Sequence, residues 1–180
     1  MDIDLHSLQT LSYPRFEDQR GFFTFSPLPD LWIQENLSGN HKQVLRGMHL
    51  QKEHAAQTKL VRVLTGAVQD VVIDLRPDSS HYLEASSFYL SEEDNLYLLI
   101  PKGFAHGFIT LADNTIFQYK IDTPYSPDME SSIHWQSPEI YPHFEKACQD
   151  NNLDLSHCIV SEKDEAGLYL QDWIQKHKAL

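Results

Sequence analysis

The clearest pattern along the chain is a series of short, largely apolar runs separated by turn residues. KLVRVLTGAVQDVVIDL (59–75) reads as two β-branched strands around a turn at Thr65-Gly66, with Val61, Val63, Val68 and Val71 at strand-like positions. SSFYL (86–90), NLYLLI (95–100), GFITL (107–111) and TIFQYKI (115–121) follow, and the breaks between them are SEED, PKG and ADN. Short strands with turn chemistry every roughly 8–12 residues predict an antiparallel sandwich or barrel. No helical pattern lies between these strands, which excludes the βαβ crossovers of a parallel sheet. A jelly roll is the natural architecture.

Texture divides the chain into a mixed N-terminal arm (about 1–43), a strand-rich core (about 44–121) and a C-terminal segment (about 122–180). At 180 residues without internal repeats, one domain over 1–180 is expected. The tail SEKDEAGLYLQDWIQKHK (161–178) predicts a helix. Ser161 and Asp164 form its N-cap signature, Leu168 and Trp173 share an apolar face, and Lys176 and Lys178 fall in the last turn. Gly167 weakens that helix by about 1 kcal/mol relative to Ala.

Charge narrows the partners. Lys and Arg number 14 against 26 Asp and Glu, a formal net charge of −12. That excludes a general nucleic-acid binder and a polybasic membrane anchor. It leaves room for a small anion held by a few local arginines. No apolar run approaches the ~18 residues of a membrane span. MDIDLHSLQT lacks the basic and apolar regions of a signal peptide, so Cys148 and Cys158 are expected as free thiols in the cytoplasm.

Four stretches place polar groups in apolar company: DQRGFF (18–23), QENLS with VLRGMHLQ (34–38, 44–51), PKGFAHGF (101–108) and IDTPYSP (121–127). On a regular strand Val44, Arg46, Met48 and Leu50 share one face, and Leu45, Gly47, His49 and Gln51 the other. His49 then points away from Arg46 unless a bulge intervenes. Taken singly, each residue has a structural reading: a hydrogen-bonded strand histidine, a solvated Lys59, a packed Tyr125, an Asp164 that only starts a helix, and surface ion pairs for Arg20 and Arg46.

Together, VLRGMHLQ, QTKLVRVLTGAVQDVVIDLR, IPKGFAHGF, the Tyr-Ser-Pro of 125–127 and SEKD (161–164) resemble the dTDP-4-dehydrorhamnose 3,5-epimerase family over roughly residues 12–165. The resemblance implies an all-β cupin jelly roll with a short C-terminal helical segment. It also implies a homodimer that inverts C3 and C5 of a nucleoside-diphospho-4-keto-6-deoxyhexose without cofactor or metal. By the same resemblance His49 is the base, Asp164 its partner, Lys59 the cation beside the sugar carbonyl and Tyr125 the acid on the opposite face. Arg20 and Arg46 correspond to pyrophosphate contacts, and Arg20 would complete a neighbouring subunit's site. Gln34 and Asn36 correspond to nucleotide contacts, and His106 and Lys163 to further substrate contacts.

These residue types suit the chemistry. A 4-keto group acidifies the hydrogens at C3 and C5, because the carbanion delocalises as an enolate onto O4. Imidazole suits proton removal, a carboxylate orients it, a phenol protonated at neutral pH suits the return, and an ammonium stabilises the enolate oxygen. Phe25 and Pro124 stand where the family usually has a glutamate and often a second tyrosine. Other readings of the same fold are a single-site C3- or C5-epimerase, a 4-ketoisomerase and a non-catalytic sugar binder. A metal-dependent cupin would draw on His49, Glu53, His54 and His106, but the usual His-x-His motif does not occur.

Overall fold

The computed structural model describes residues 4–13, 15–19, 21–24 and 31–177. The expected strands are present as β6 (Lys59–Thr65), β7 (Ala67–Asp74), β8 (Ala85–Ser91), β9 (Leu96–Ile100), β10 (Phe104–Thr110) and β11 (Thr115–Ile121). The preceding arm contributes β1 (Gln9–Ser12), β2 (Arg15–Asp18), β3 (Gly21–Thr24), β4 (Gln34–Asn40) and β5 (Leu45–Gln51), and β12 (Glu130–Ser132) follows. Two antiparallel five-stranded sheets, ordered β1-β9-β6-β11-β4 and β12-β5-β10-β7-β8, form the jelly-roll sandwich, while β2 and β3 pair as a separate hairpin.

Strand periodicity sorts the side chains into three apolar layers. Val61, Val63, Val68, Val72, Phe108 and Phe117 pack between the sheets. The other face of the second sheet, including Met48, Val71, Ile73 and Ile109, packs against Phe144, Leu170, Trp173 and Ile174. Leu11, Tyr13, Leu60, Tyr97 and Leu99 form a smaller cluster on the other face of the first sheet. Burial on both faces explains why β7 and β10 lack clean alternation. Each fully buried Val, Leu or Phe contributes roughly 1.5–3 kcal/mol.

The C-terminal segment departs from the single helix expected. It forms α1 (Tyr141–Asp150), α2 (Glu162–Glu165) and α3 (Leu170–His177). The first of these was not apparent in the sequence pattern; it buries Phe144, Ala147 and Cys148, at helical spacing behind a proline near its start. Between α2 and α3 the chain is extended. Leu168 bridges to Ile133, and a Cβ at Gly167 would lie 3.0 Å from the His134 nitrogen. Leu168 and Trp173 therefore do not share one helix face. Leu168 packs beside the core from an extended segment, and Trp173 is buried from α3.

Candidate active site

One irregularity shapes the site. Along β10, His106 pairs with His49 and Phe108 with Arg46, so three steps on β5 face two on β10. That extra residue is a β-bulge, and it shifts the side-chain parity of β5. Leu45, Met48 and Leu50 join the helix-covered core, whereas Arg46, His49 and Gln51 line the space between the sheets. The bulge thus brings Arg46 and His49 to one face. It depends on two glycines. Gly47 has φ +117°, and a Cβ there would lie 2.5 Å from the Gly107 Cα; one on Gly107 would lie 2.6 Å from the Arg46 carbonyl oxygen. Two backbones approach so closely that neither tolerates a side chain.

The cavity between the sheets has a volume of about 430 Å³, suited to a small-molecule ligand. The first sheet supplies Gln34, Asn36, Lys59, Phe117 and Tyr119; the second supplies Arg46, His49, His106 and Glu130, with Tyr125 reaching in from the loop between them. Asp164 lies behind His49, its Oδ1 2.5 Å from Nε2. The Asp164 side chain is nearly fully buried, while that of His49 is 29% exposed. Burial alone would raise the Asp164 pKa, but hydrogen bonds from His49, the Gly47 amide and Ser161, with the nearby imidazole charge, hold it below the usual value. An ionised carboxylate only accepts, so the His49 nitrogen facing Asp164, Nε2, carries the proton of this bond, and in the neutral imidazole the lone pair is on Nδ1.

Lys59 is buried at the start of β6. Desolvation pulls its pKa down to about 8, although Asp70 and Glu130 oppose that shift. Asp70 is completely buried on β7, with Oδ2 3.3 Å from Nδ1 of His106. Burial raises the Asp70 carboxyl well above its usual range, and Lys59 offsets only part of this. His106 is pushed well below the usual imidazole range by burial and by the charges of Lys59 and His49.

Gln34 donates to Asn36 at 2.7 Å along β4, and Arg46 donates from Nε to Asn40 at 2.8 Å. Tyr125 donates to Glu130 at 2.7 Å, and Lys163 pairs with the other Glu130 oxygen at 2.6 Å. The cavity therefore gathers His49, Lys59, Tyr125, Gln34, Asn36, Arg46 and His106, with Asp164 and Lys163 joined to it through His49 and Glu130. Arg20 and Phe25 lie outside the described residues. Glu53 and His54 are exposed on a 3₁₀ turn and do not line the cavity, and no three metal-ligating groups gather among the described residues.

A profile of the dTDP-4-dehydrorhamnose 3,5-epimerase family matches residues 2–172. The Escherichia coli K12 enzyme of that name is 38% identical over 170 residues, covering 89% of this chain and 88% of its own. The Methanothermobacter thermautotrophicus enzyme is 40% identical, covering 83% and 82%. The chain belongs to this family. A Bacillus anthracis dTDP-4-dehydrorhamnose 3,5-epimerase, solved with TDP and pyrophosphate bound, superposes with TM-score 0.81 at 35% identity, covering 94% of this chain and 98% of that one. A Legionella pneumophila dTDP-6-deoxy-D-glucose-3,5-epimerase in complex with dTDP-4-keto-L-rhamnose gives 0.78 at 35%, covering 91% and 88%. Membership makes this chain an isomerase of carbohydrates.

Gln51, Tyr119 and Glu130, which line this epimerase-family cavity, and Asp70, buried behind His106, were not singled out from the sequence. Asp70 carries a signal in hindsight, since it is an acid in the middle of the apolar run AVQDVVID. Tyr119 shares strand parity with Phe117 and Ile121 and so faces inward with them. Gln51 and Glu130 sit opposite each other in the β5–β12 register, a pairing invisible before β12 is placed.

Proposed function

We propose that this protein inverts C3 and C5 of a thymidine-diphospho-4-keto-6-deoxyhexose by cofactor-independent acid–base chemistry. The observation that carries this reading is the His49–Asp164 pair facing a cavity that also holds a buried ammonium and phenols from the opposite wall. His49 Nδ1 removes the proton at C3 or C5, and Asp164 stabilises the resulting imidazolium. The electron pair moves onto O4, where the Lys59 ammonium stabilises it. A phenol returns a proton to the other face of the ring. The imidazolium and phenolate are then reset by exchange with solvent, so solvent hydrogen enters the product. Arg46, Gln34 and Asn36 hold the nucleotide end, with Lys163 at the cavity edge.

Two phenols reach the cavity, and we assign the returning acid to Tyr119 rather than to the Tyr125 suggested by resemblance. Tyr119 projects from the continuous strand β11, half-buried, and its hydroxyl has no hydrogen-bond partner among the described residues. The Tyr125 hydroxyl is already held by Glu130, and its side chain is largely exposed. Groups on strands keep catalytic geometry more closely than groups on loops. Burial raises the Tyr119 pKa, against an opposing effect of Arg46, so the phenol stays protonated at neutral pH.

The homodimer and the cytoplasmic setting belong to the same proposal. The β2–β3 hairpin exposes Phe16, Phe22 and Phe23, an apolar surface suited to a second copy. The unpaired thiols Cys148 and Cys158 suit a reducing compartment. Incubation with dTDP-4-dehydro-6-deoxyglucose, with the product identified by NMR, tests the activity. Inversion at both carbons is expected, while a shifted carbonyl or an unchanged sugar contradicts it. Tyr119→Phe is expected to lower kcat by ~10²-fold or more. A larger loss in Tyr125→Phe than in Tyr119→Phe would return the acid role to Tyr125.

A further inference from the structure

We propose that Glu130 is a positioning residue for this reaction: its carboxylate clamps Tyr125 and Lys163, holding the mouth loop and the Asp164-bearing helix against the strand that carries His49. The proposal rests on the epimerase reading and adds a residue to it. Glu130 opens β12, where it pairs with Gln51 while Ser132 pairs with His49. One carboxylate oxygen accepts from Tyr125 at 2.7 Å, and the other meets the Lys163 ammonium at 2.6 Å. The mouth loop has a second tether to the same place, because the Ser126 amide donates to the Gln51 side chain at 2.9 Å. Lys163 is the chain neighbour of Asp164 on α2, a helix of only four residues.

So short a helix has little stability of its own. Its tethers at this end are the Ser161 cap, the Asp164 contacts with His49 and the Gly47 amide, and the Lys163–Glu130 pair. Glu130 is mostly buried, and its ion-pair partner is half-exposed. Burial would raise the Glu130 pKa, but hydrogen bonds from Lys163 and Tyr125 and nearby positive charge bring it below the usual carboxylate value, so the clamp is ionised at neutral pH. Loss of that charge frees Lys163 and loosens α2. Asp164 is then displaced relative to the imidazole it must orient.

The test is Glu130→Gln, assayed beside the wild type for epimerisation of dTDP-4-dehydro-6-deoxyglucose. The amide oxygen still accepts from Tyr125, but the ion pair is gone. The clamp predicts that kcat falls by about 10- to 100-fold, the scale of a small misplacement of a catalytic group. KM is expected to stay level or fall, since a freed ammonium is available to the anionic substrate. In the Glu130→Gln background, Lys163→Gln is expected to cost less in kcat than it does in the wild type, because the two act through one contact. A kcat within twofold of wild type, a raised KM with kcat kept, or multiplicative effects of the two changes overturns the clamp. Should Glu130→Gln fail to fold, Glu130→Asp keeps the charge and shortens its reach. It supports the clamp if kcat falls at unchanged KM and overturns it if kcat is that of the wild type. A wild-type protein without turnover sinks the epimerase reading itself, so the two failures are distinguishable.

Discussion

Two histidines line the cavity, each with a buried carboxylate behind it, and their surroundings make the two pairs opposites. His49 meets Asp164 at 2.5 Å and is itself 29% exposed, and the Gly47 amide and the Ser161 side chain also hydrogen-bond the carboxylate. His106 meets Asp70 at 3.3 Å, with both side chains buried. In the first pair the hydrogen bonds outweigh desolvation and Asp164 stays ionised. In the second, desolvation dominates and raises Asp70, while burial and neighbouring positive charge keep His106 neutral. In the proposed reaction the first pair accepts a proton and stabilises the imidazolium, while the second presents a neutral imidazole close to Lys59. Proximity of a carboxylate does not make a histidine a base. The two pairs differ in the number of donors on the carboxylate and in the exposure of the imidazole.

The contrast breaks most visibly at His49. His49→Ala is expected to lower kcat by roughly 10²–10⁴-fold, the usual worth of a positioned base, with an unchanged circular-dichroism spectrum. A near-normal rate would transfer the base role elsewhere. Lys59 sharpens the contrast through pH. Burial lowers its pKa to about 8, so its charge is present below that pH and lost above it. The expected consequence is a basic limb in kcat, falling by about tenfold per pH unit above roughly pH 8. A profile flat to pH 10 contradicts a required ammonium.

The carboxylates give the smaller effects. Asp164→Asn should reduce kcat by about 10- to 100-fold, because an amide no longer stabilises the imidazolium. It should also change stability with a defined sign. A carboxylate whose folded pKa is depressed stabilises the fold above the unfolded pKa, and that contribution is lost as pH falls through the folded value. Thermal melts between pH 7 and pH 3 should therefore converge for the wild type and Asp164→Asn at the acid end. Asp70→Asn is expected to change kcat only a few-fold, since it replaces a carboxyl whose charge is already disfavoured. A loss as large as that of Asp164→Asn would erase the distinction between the pairs.

The two pairs were not equally legible in the sequence, and the reason is physical. His49, Lys59 and Asp164 stand in motifs whose local composition is unusual, so resemblance reaches them. Asp70 sits within an apolar strand, and its function depends on what lies across the sheet. The strands from Lys59 to Ile121 are legible because β-branched runs and turn residues are local signals. The bulge is not, since it arises from the approach of Gly47 to Gly107, sixty positions apart in sequence and adjacent in space. Strict alternation sends His49 away from Arg46, and only that approach reunites them. The tail reads as one helix because its pattern is locally helical, whereas the pairing of Leu168 with Ile133 is a tertiary contact that interrupts it.

The most direct test of the account is to follow the sugar C–H signals by NMR during incubation of dTDP-4-dehydro-6-deoxyglucose with the protein in deuterated water. The wild type should place deuterium at both C3 and C5. His49→Ala, verified to bind dTDP, should leave both carbons protonated over the same period. Deuterium entering either carbon at the wild-type rate in that variant would show that the proton is removed by a group other than the His49–Asp164 pair.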